Sequence, residues 1–160
     1  MGDMSEFSLG VKAFIRTYRW RKIDPVPWTP LSKPLSECRL GLVSTAGLTL
    51  QGQQPFDDDI KGGDSSYREI PWDSDVGRLV ENHRSESWDH RGVEQDPNIA
   101  FPLDRMRELA DQGGVGSLAE HYLSFMGSVT ATGRMVRDVV PEARASFVDQ
   151  GVDIALLVPV

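Results

Sequence analysis

The stretch that most constrains the fold is the aliphatic run near the end of the sequence. Val152-Asp153-Ile154-Ala155-Leu156-Leu157-Val158 is broken only by Asp153. A strand with one wet face alternates apolar and polar residues, so an unbroken run predicts a parallel strand buried on both faces. Upstream, Met135, Val136, Val139, Val140, Ala143, Phe147 and Val148 recur at helical spacing. Thr130 or Thr132 suits the start of that helix as a cap, and Asp149-Gln150-Gly151 its end. Pro141 falls inside it and should kink or re-cap it. Helix, glycine turn and buried strand together make a right-handed crossover into a parallel sheet. The expected class is therefore α/β, a parallel-sheet core of Rossmann-like character with long irregular loops and an extended amino-terminal arm. Ligands in such sheets collect at the carboxyl ends of the strands. A site-bearing loop is expected after the terminal strand, where the sequence ends at Pro159-Val160.

Other elements follow from local signals. Leu40 to Ser44 reads as a strand running into Thr45-Ala46-Gly47, small residues that leave backbone amides accessible. It carries neither GxGxxG nor GxxxxGK, so a dinucleotide or P-loop site is not expected. Ser66 to Ile70 suits a short strand ended or edged by Pro71, with no room before it for an amphipathic helix. Asn98 to Phe101 reads as another short strand. Leu103 to Asp111 is a helix behind Pro102, closed by Gly113-Gly114. Val115 to Met126 places Leu118, Tyr122, Phe125 and Met126 at helical spacing. Residues 1–37 are expected to form an arm: Val11 to Ile23 interleaves aromatic and basic residues, and the prolines between Asp24 and Pro30 stop any helix. Residues 38–160 then form the α/β domain, incomplete or completed by a partner chain.

Charge and cysteine count narrow the chemistry. A net charge of −7 argues against non-specific nucleic-acid or anionic-membrane binding. No run is long enough for a membrane helix, and MGDMSEFSLG lacks the features of a secretory signal, so the expected location is cytoplasmic. The one cysteine, Cys38, cannot form a disulfide or a thiol pair within the chain and is expected to pack. Asp57-Asp58-Asp59 and Asp64 lack the spacing of a calcium loop. His83, Asp89, His90 and Asp96 are candidate ligands for a divalent metal, although their spacing fits no strong motif and a polar structural loop is the competing reading. His83 and His121 are candidate proton-transfer groups; Glu120 adjoins His121 but would face elsewhere on a helix.

Six segments in order resemble one family: LGLVSTAGL at 40–48, GDSSYREIP at 63–71, HRSESWD at 83–89, D-x-N-x-x-FPLDRMRELA at 96–110, GSLAEHYLSFMGSV at 116–129 and GVDIALLVPV at 151–160. Together they resemble the amino-terminal part of the selenoprotein B component of glycine, sarcosine, betaine and D-proline reductases. The resemblance implies a subunit or fragment of a reductase acting on a small amine-containing substrate. It further implies a redox selenocysteine or cysteine following the last strand, a position Cys38 does not fill. That thiol or selenol, or a pyruvoyl group, would come from another chain or segment, making a related or redox-active subunit the expected partner. On the resembling motifs, Ser44, Thr45, Gly47, Tyr67 and Arg68 are the candidate substrate-binding residues, with His121, His83 and Tyr122 as candidate catalytic residues. Arg68 suits a substrate carboxylate. A metal-dependent subunit built on the His/Asp cluster and a non-catalytic binding or assembly subunit are the alternatives.

Overall fold

The computed structural model describes residues 7–17, 22–84 and 90–160. The chain divides into two compact units, Met1–Pro30 and Leu31–Val160. In the first, helix α1 (Leu9–Thr17) is amphipathic and buries no residue. No helix among the described residues is long and apolar enough to cross a membrane.

The second unit is α/β and built on a mostly parallel sheet. Strand β1 (Arg39–Ser44) is its centre. On one flank lie β5 (Ser117–Leu118), then β6 (His121–Phe125), both parallel to β1. On the other lies β7 (Ile154–Val158), also parallel, from Leu40↔Ile154 to Ser44↔Val158. Strand β3 (Tyr67–Pro71) runs antiparallel against β6. It forms an edge, where Pro71 forfeits no ladder bond to a second neighbour. A separate antiparallel pair joins β2 (Leu48–Thr49) to β4 (Val80–Glu81).

Alternation along the strands sorts the side chains into two faces. Leu40, Leu42, Ser44, Tyr122, Ser124 and Ile70 share one face. Most of the core lies there, with Ala100, Phe101, Leu103 and Met106 packed in the same cluster. Helices α2 (His90–Gln95) and α3 (Leu103–Asp111) supply Val93, Leu103 and Met106 to it. The opposite face carries Gly41, Val43, Leu123 and Phe125 and meets α4 (Thr132–Arg134), a π-helical turn at Met135–Val139 and α5 (Val140–Asp149). The π turn sits just before Pro141, which has no amide to give and would strike a regular helix's preceding carbonyl.

Four expectations are corrected. Val115 to Met126 is strand rather than helix, because β6 lies between β1 and β3 with Tyr122 to Phe125 all buried. Asn98 to Phe101 is not a strand: Pro97–Ile99 forms a 3-10 turn capped by the Asp96 carboxylate, which accepts from the Asn98 amide at 3.0 Å. Neither Thr130 nor Thr132 caps the next helix; its cap residue is Ala131, with no side-chain bond. No residue of α5 is buried, and β7 is exposed or half-exposed along its whole length, so neither the buried helix face nor the strand buried on both sides is found.

Candidate functional site

Strands β1, β6 and β7 are parallel, so their carboxyl ends meet at one edge, and there the chain is knitted by long-range bonds. Thr45 Oγ1 accepts from the Val160 amide at 2.8 Å and donates to the Val160 carbonyl at 3.3 Å. The Gly47 amide donates to the Phe125 carbonyl at 2.8 Å, and the Gly47 carbonyl accepts from the Asn82 amide at 3.0 Å. Gly47 turns here at φ 66°, and a Cβ on it would lie 3.1 Å from the His83 amide nitrogen. The β2–β4 pair thus holds residues 82 and 83 against the turn that leaves β1.

Gly127 closes the same corner from β6. A Cβ there would lie 2.6 Å from Thr45 O, 2.7 Å from His83 Nε2 and 2.8 Å from Val160 O. The buried His83 ring and the end of the β7 segment therefore converge on one point. Burial pushes the His83 imidazole below its usual range, with Glu81 opposing and His90 reinforcing the shift. That shift favours the neutral imidazole, the form that can serve as a general base. Glu81 organises the approach: its carboxylate accepts from the His83 amide and lies 2.6 Å from His90 Nδ1.

The other candidates are dispersed. Ser44 is fully buried, donates to the Ala100 carbonyl at 2.7 Å and accepts from the Ala46 amide at 3.2 Å. Arg68 donates to the carbonyls of Gln54 and Pro55 at 2.7 and 2.8 Å and to Ser66 Oγ at 2.8 Å. Its guanidinium also lies 4.4 Å from the Phe56 ring centroid and 3.7 Å from Asp64. Burial raises the Asp64 carboxyl, but the Ser66 hydroxyl, the amides of Asp57 and Ser66 and the Arg68 charge outweigh it and lower the net value. Tyr67 stacks at a tilt on Phe125, centroids 5.5 Å apart; burial raises its phenol, helped by Glu69 and Glu142. Tyr122 is fully buried edge-on to Phe101, and burial raises its phenol strongly. His121 lies at the opposite, amino end of β6, its amide bound to Gln150 Oε1 at 2.8 Å.

Among the described residues no three His, Cys, Asp or Glu side chains come together to hold a metal. Asp96 serves as the 3-10 cap and His90 pairs with Glu81, while Asp89 lies outside the described residues. The sequence reading passed over Ser124 and Gly127. Ser124 is in register with Ser44 and with Arg68, and its buried hydroxyl has no hydrogen-bond partner among the described residues.

The family model of glycine/sarcosine/betaine reductase selenoprotein B matches residues 7–159. The chain belongs to this selenoprotein B family. D-proline reductase subunit gamma of Acetoanaerobium sticklandii is 34% identical over 136 residues, which cover 84% of this chain and 54% of that protein. Sarcosine reductase complex component B subunit beta of Peptoclostridium acidaminophilum is 29% identical over 138 residues, 82% of this chain and 30% of that protein. Glycine reductase complex component B subunit gamma of Symbiobacterium thermophilum is 27% identical over 117 residues, 71% and 27% of the two chains. The chain thus spans about half the length of the first of these selenoprotein B relatives and under a third of the other two. No solved structure matches.

Proposed function

We propose that this chain forms the substrate-side part of an amino-acid reductase component acting on a small amine, with its site at the carboxyl edge of β1, β6 and β7. Membership of the selenoprotein B family supports the reaction class. The observation that carries the location is the convergence of His83 Nε2 and Val160 O on Gly127. The proposed reaction breaks a carbon–nitrogen bond with two electrons from a thiol–thiol or selenol–thiol pair, which is oxidised to the bridged form. The nitrogen keeps the electron pair of the broken bond; of the two protons the redox pair gives up, one goes to the carbon and the other to the freed amine, which in D-proline stays tethered through the opened ring.

Cys38 is badly placed to be that redox group. It is fully buried at the amino end of β1, and its Sγ donates to the Pro34 carbonyl at 3.3 Å. A six-residue strand separates it from the carboxyl edge, about 20 Å at ~3.3 Å per residue. The redox pair accordingly comes from another segment or subunit and works beside His83. His83 takes or gives the proton, and Thr45 fixes the end of the β7 segment beside it. The working environment is taken to be the cytoplasm, which keeps thiols reduced.

The test uses the assembled complex with a dithiol as electron donor, and measures release of the reduced product from glycine, sarcosine, betaine and D-proline. One of these should turn over. Cys38→Ser should leave the rate near wild type, and His83→Gln should lower kcat/KM by about 10²–10⁴-fold, the range for loss of a general acid–base group. Absence of turnover with all four overturns the reaction class. Full loss of rate in a folded Cys38→Ser complex overturns the placement of the site.

A further inference from the structure

Strand β7 has the sequence of an interior strand and the surroundings of an edge. Among the described residues its one partner strand is β1. The Thr45 amide donates to the Val158 carbonyl. By the two-residue alternation of a strand, the amides and carbonyls of Ala155 and Leu157 therefore turn away from β1, to the open side. Ile154 and Val158 pack partly against the core, but exposed apolar side chains remain on both faces of the sheet. Leu157, in register with Val43, is 66% exposed on the α5 face, and Leu156, in register with Leu42, is 40% exposed on the other. Ile154 to Val158 has no charge and no proline, the usual protections of a free edge. Next to it an apolar cleft of about 570 Å³ opens between the sheet and α5, lined by Val43, Phe125, Val140, Phe147 and Leu157.

We propose that β7 is an interior strand of the assembled protein, its open edge paired by a parallel strand of a further α/β unit. That unit is the part of the family polypeptide lying outside the region this chain matches. A small molecule in the cleft would leave Leu156 and the outward amides bare. A lone helix would cover one face and satisfy no backbone group. A second copy meeting this edge about a two-fold axis would pair β7 antiparallel to itself, whereas an unbroken aliphatic strand belongs to parallel sheets covered on both faces. A βα repeat supplies what is missing: a strand for the edge and helices for the faces. Chain for it exists in the relatives, since the matched 136 residues are 54% of D-proline reductase subunit gamma. The proposal rests on the family membership and is independent of the amine chemistry, so its test reads no turnover.

Amide hydrogen exchange is compared between the full chain alone and the assembly recovered from its native cells through an affinity tag on this chain. In the isolated chain the Ala155 and Leu157 amides should exchange freely; in the assembly they should slow by about 100-fold or more, as buried ladder amides do. Leu157→Lys, at an exposed position, should keep the isolated chain's Tm within about 2 °C and reduce assembly at least ~10-fold, a charge being costly in a covered apolar seam. Rapid exchange of both amides in the assembly overturns the proposal, as does recovery of this chain alone with that edge still open. So does unimpaired assembly of Leu157→Lys. Protection of the same amides in a homodimer of the isolated chain overturns it in favour of self-pairing.

Discussion

On the face of the sheet that carries Leu42, Ile70 and Tyr122, the neighbouring segments bring Phe101 and Leu103 into full burial. On the opposite face, α5 buries no residue and leaves an apolar cleft open beside its Phe147 contact with Gly41. The two covers differ in what anchors them. On the shut face, Ser44 ties the sheet to the Ala100 carbonyl, and the 3-10 turn at Pro97–Ile99 fixes the start of α3 through Asn98 and Asp104. On the open face the polar links sit at the rim: a 3.3 Å contact from Ser146 to Glu69 at the exposed β3 edge, and the α5 cap residue Gln150, which accepts from the His121 amide and the Arg39 guanidinium. Packing free energy follows close contact, so stability should reside mainly on the shut face, leaving the open face to accept another element.

The largest effect should separate the two faces directly. Phe101→Ala removes a fully buried ring set edge-on to Tyr122 and should cost about 3–5 kcal/mol, the range for a buried aromatic truncated to alanine. Phe147→Ala removes a half-buried ring of α5 that lies against Gly41 and should cost about 1–2 kcal/mol at ~25 cal/mol per Å² of apolar area exposed. Urea midpoints of the two variants measure the difference. Equal losses would mean that α5 is as firmly packed as α3, and the contrast between the faces would be gone.

A smaller effect should sharpen the contrast at the corner where the faces meet. Gly127→Ala places a methyl group within 2.8 Å of the Thr45 and Val160 carbonyl oxygens and of His83 Nε2. Two of those three neighbours are backbone and cannot swing aside, so the expected cost is about 1–3 kcal/mol, as for other overpacked sites. Gly133→Ala, in α4 with nothing within 4 Å of the new methyl, should instead stabilise by about 0.5–1 kcal/mol through lower unfolded-state entropy and better helix propensity. Thermal midpoints should therefore move in opposite directions.

The contrast also explains which parts of the molecule were legible in the sequence. The parallel strand at Leu40 to Ser44, the helix from Leu103 and the crossover into Ile154 to Val158 each carry their signal within a dozen residues. Strand β6 does not. Leu118, Tyr122, Phe125 and Met126 fit a helical template, because a strand buried on both faces loses the alternation that would distinguish it. The same loss hid Ser124, which looks like a surface serine until β1 and β3 close over it. At the carboxyl edge, Thr45, Gly47 and His83 were visible as residue types, but their junction depends on the Asn82–Gly47 bond between loops far apart in sequence. For Ser44 and Arg68 the partners farther along the chain include backbone carbonyls of Ala100, Gln54 and Pro55, and no side-chain pattern announces a carbonyl. The open face was read as buried because hydrophobic periodicity reports what a helix is suited to cover, without stating which chain supplies the cover.

The smallest effects should come from two hydroxyls. Thr45 Oγ1 holds both the amide and the carbonyl of Val160, and Thr45→Val replaces it with a methyl of similar size while leaving that amide without its acceptor. The expected cost is about 1–2 kcal/mol, because a broken half of a hydrogen bond carries the desolvation of the partner left behind. The Tyr122 hydroxyl is buried with no hydrogen-bond partner among the described residues. Tyr122→Phe leaves nothing newly unpaired, so its stability change should lie between zero and a gain of about 1 kcal/mol. Urea denaturation of the two single variants and of the double variant decides the matter, and the two changes should add if the shut face and the carboxyl edge are independent. A loss on Tyr122→Phe as large as that on Thr45→Val would show that the core hydroxyl holds a partner, such as an ordered water, and that the shut face is less dry than its packing implies.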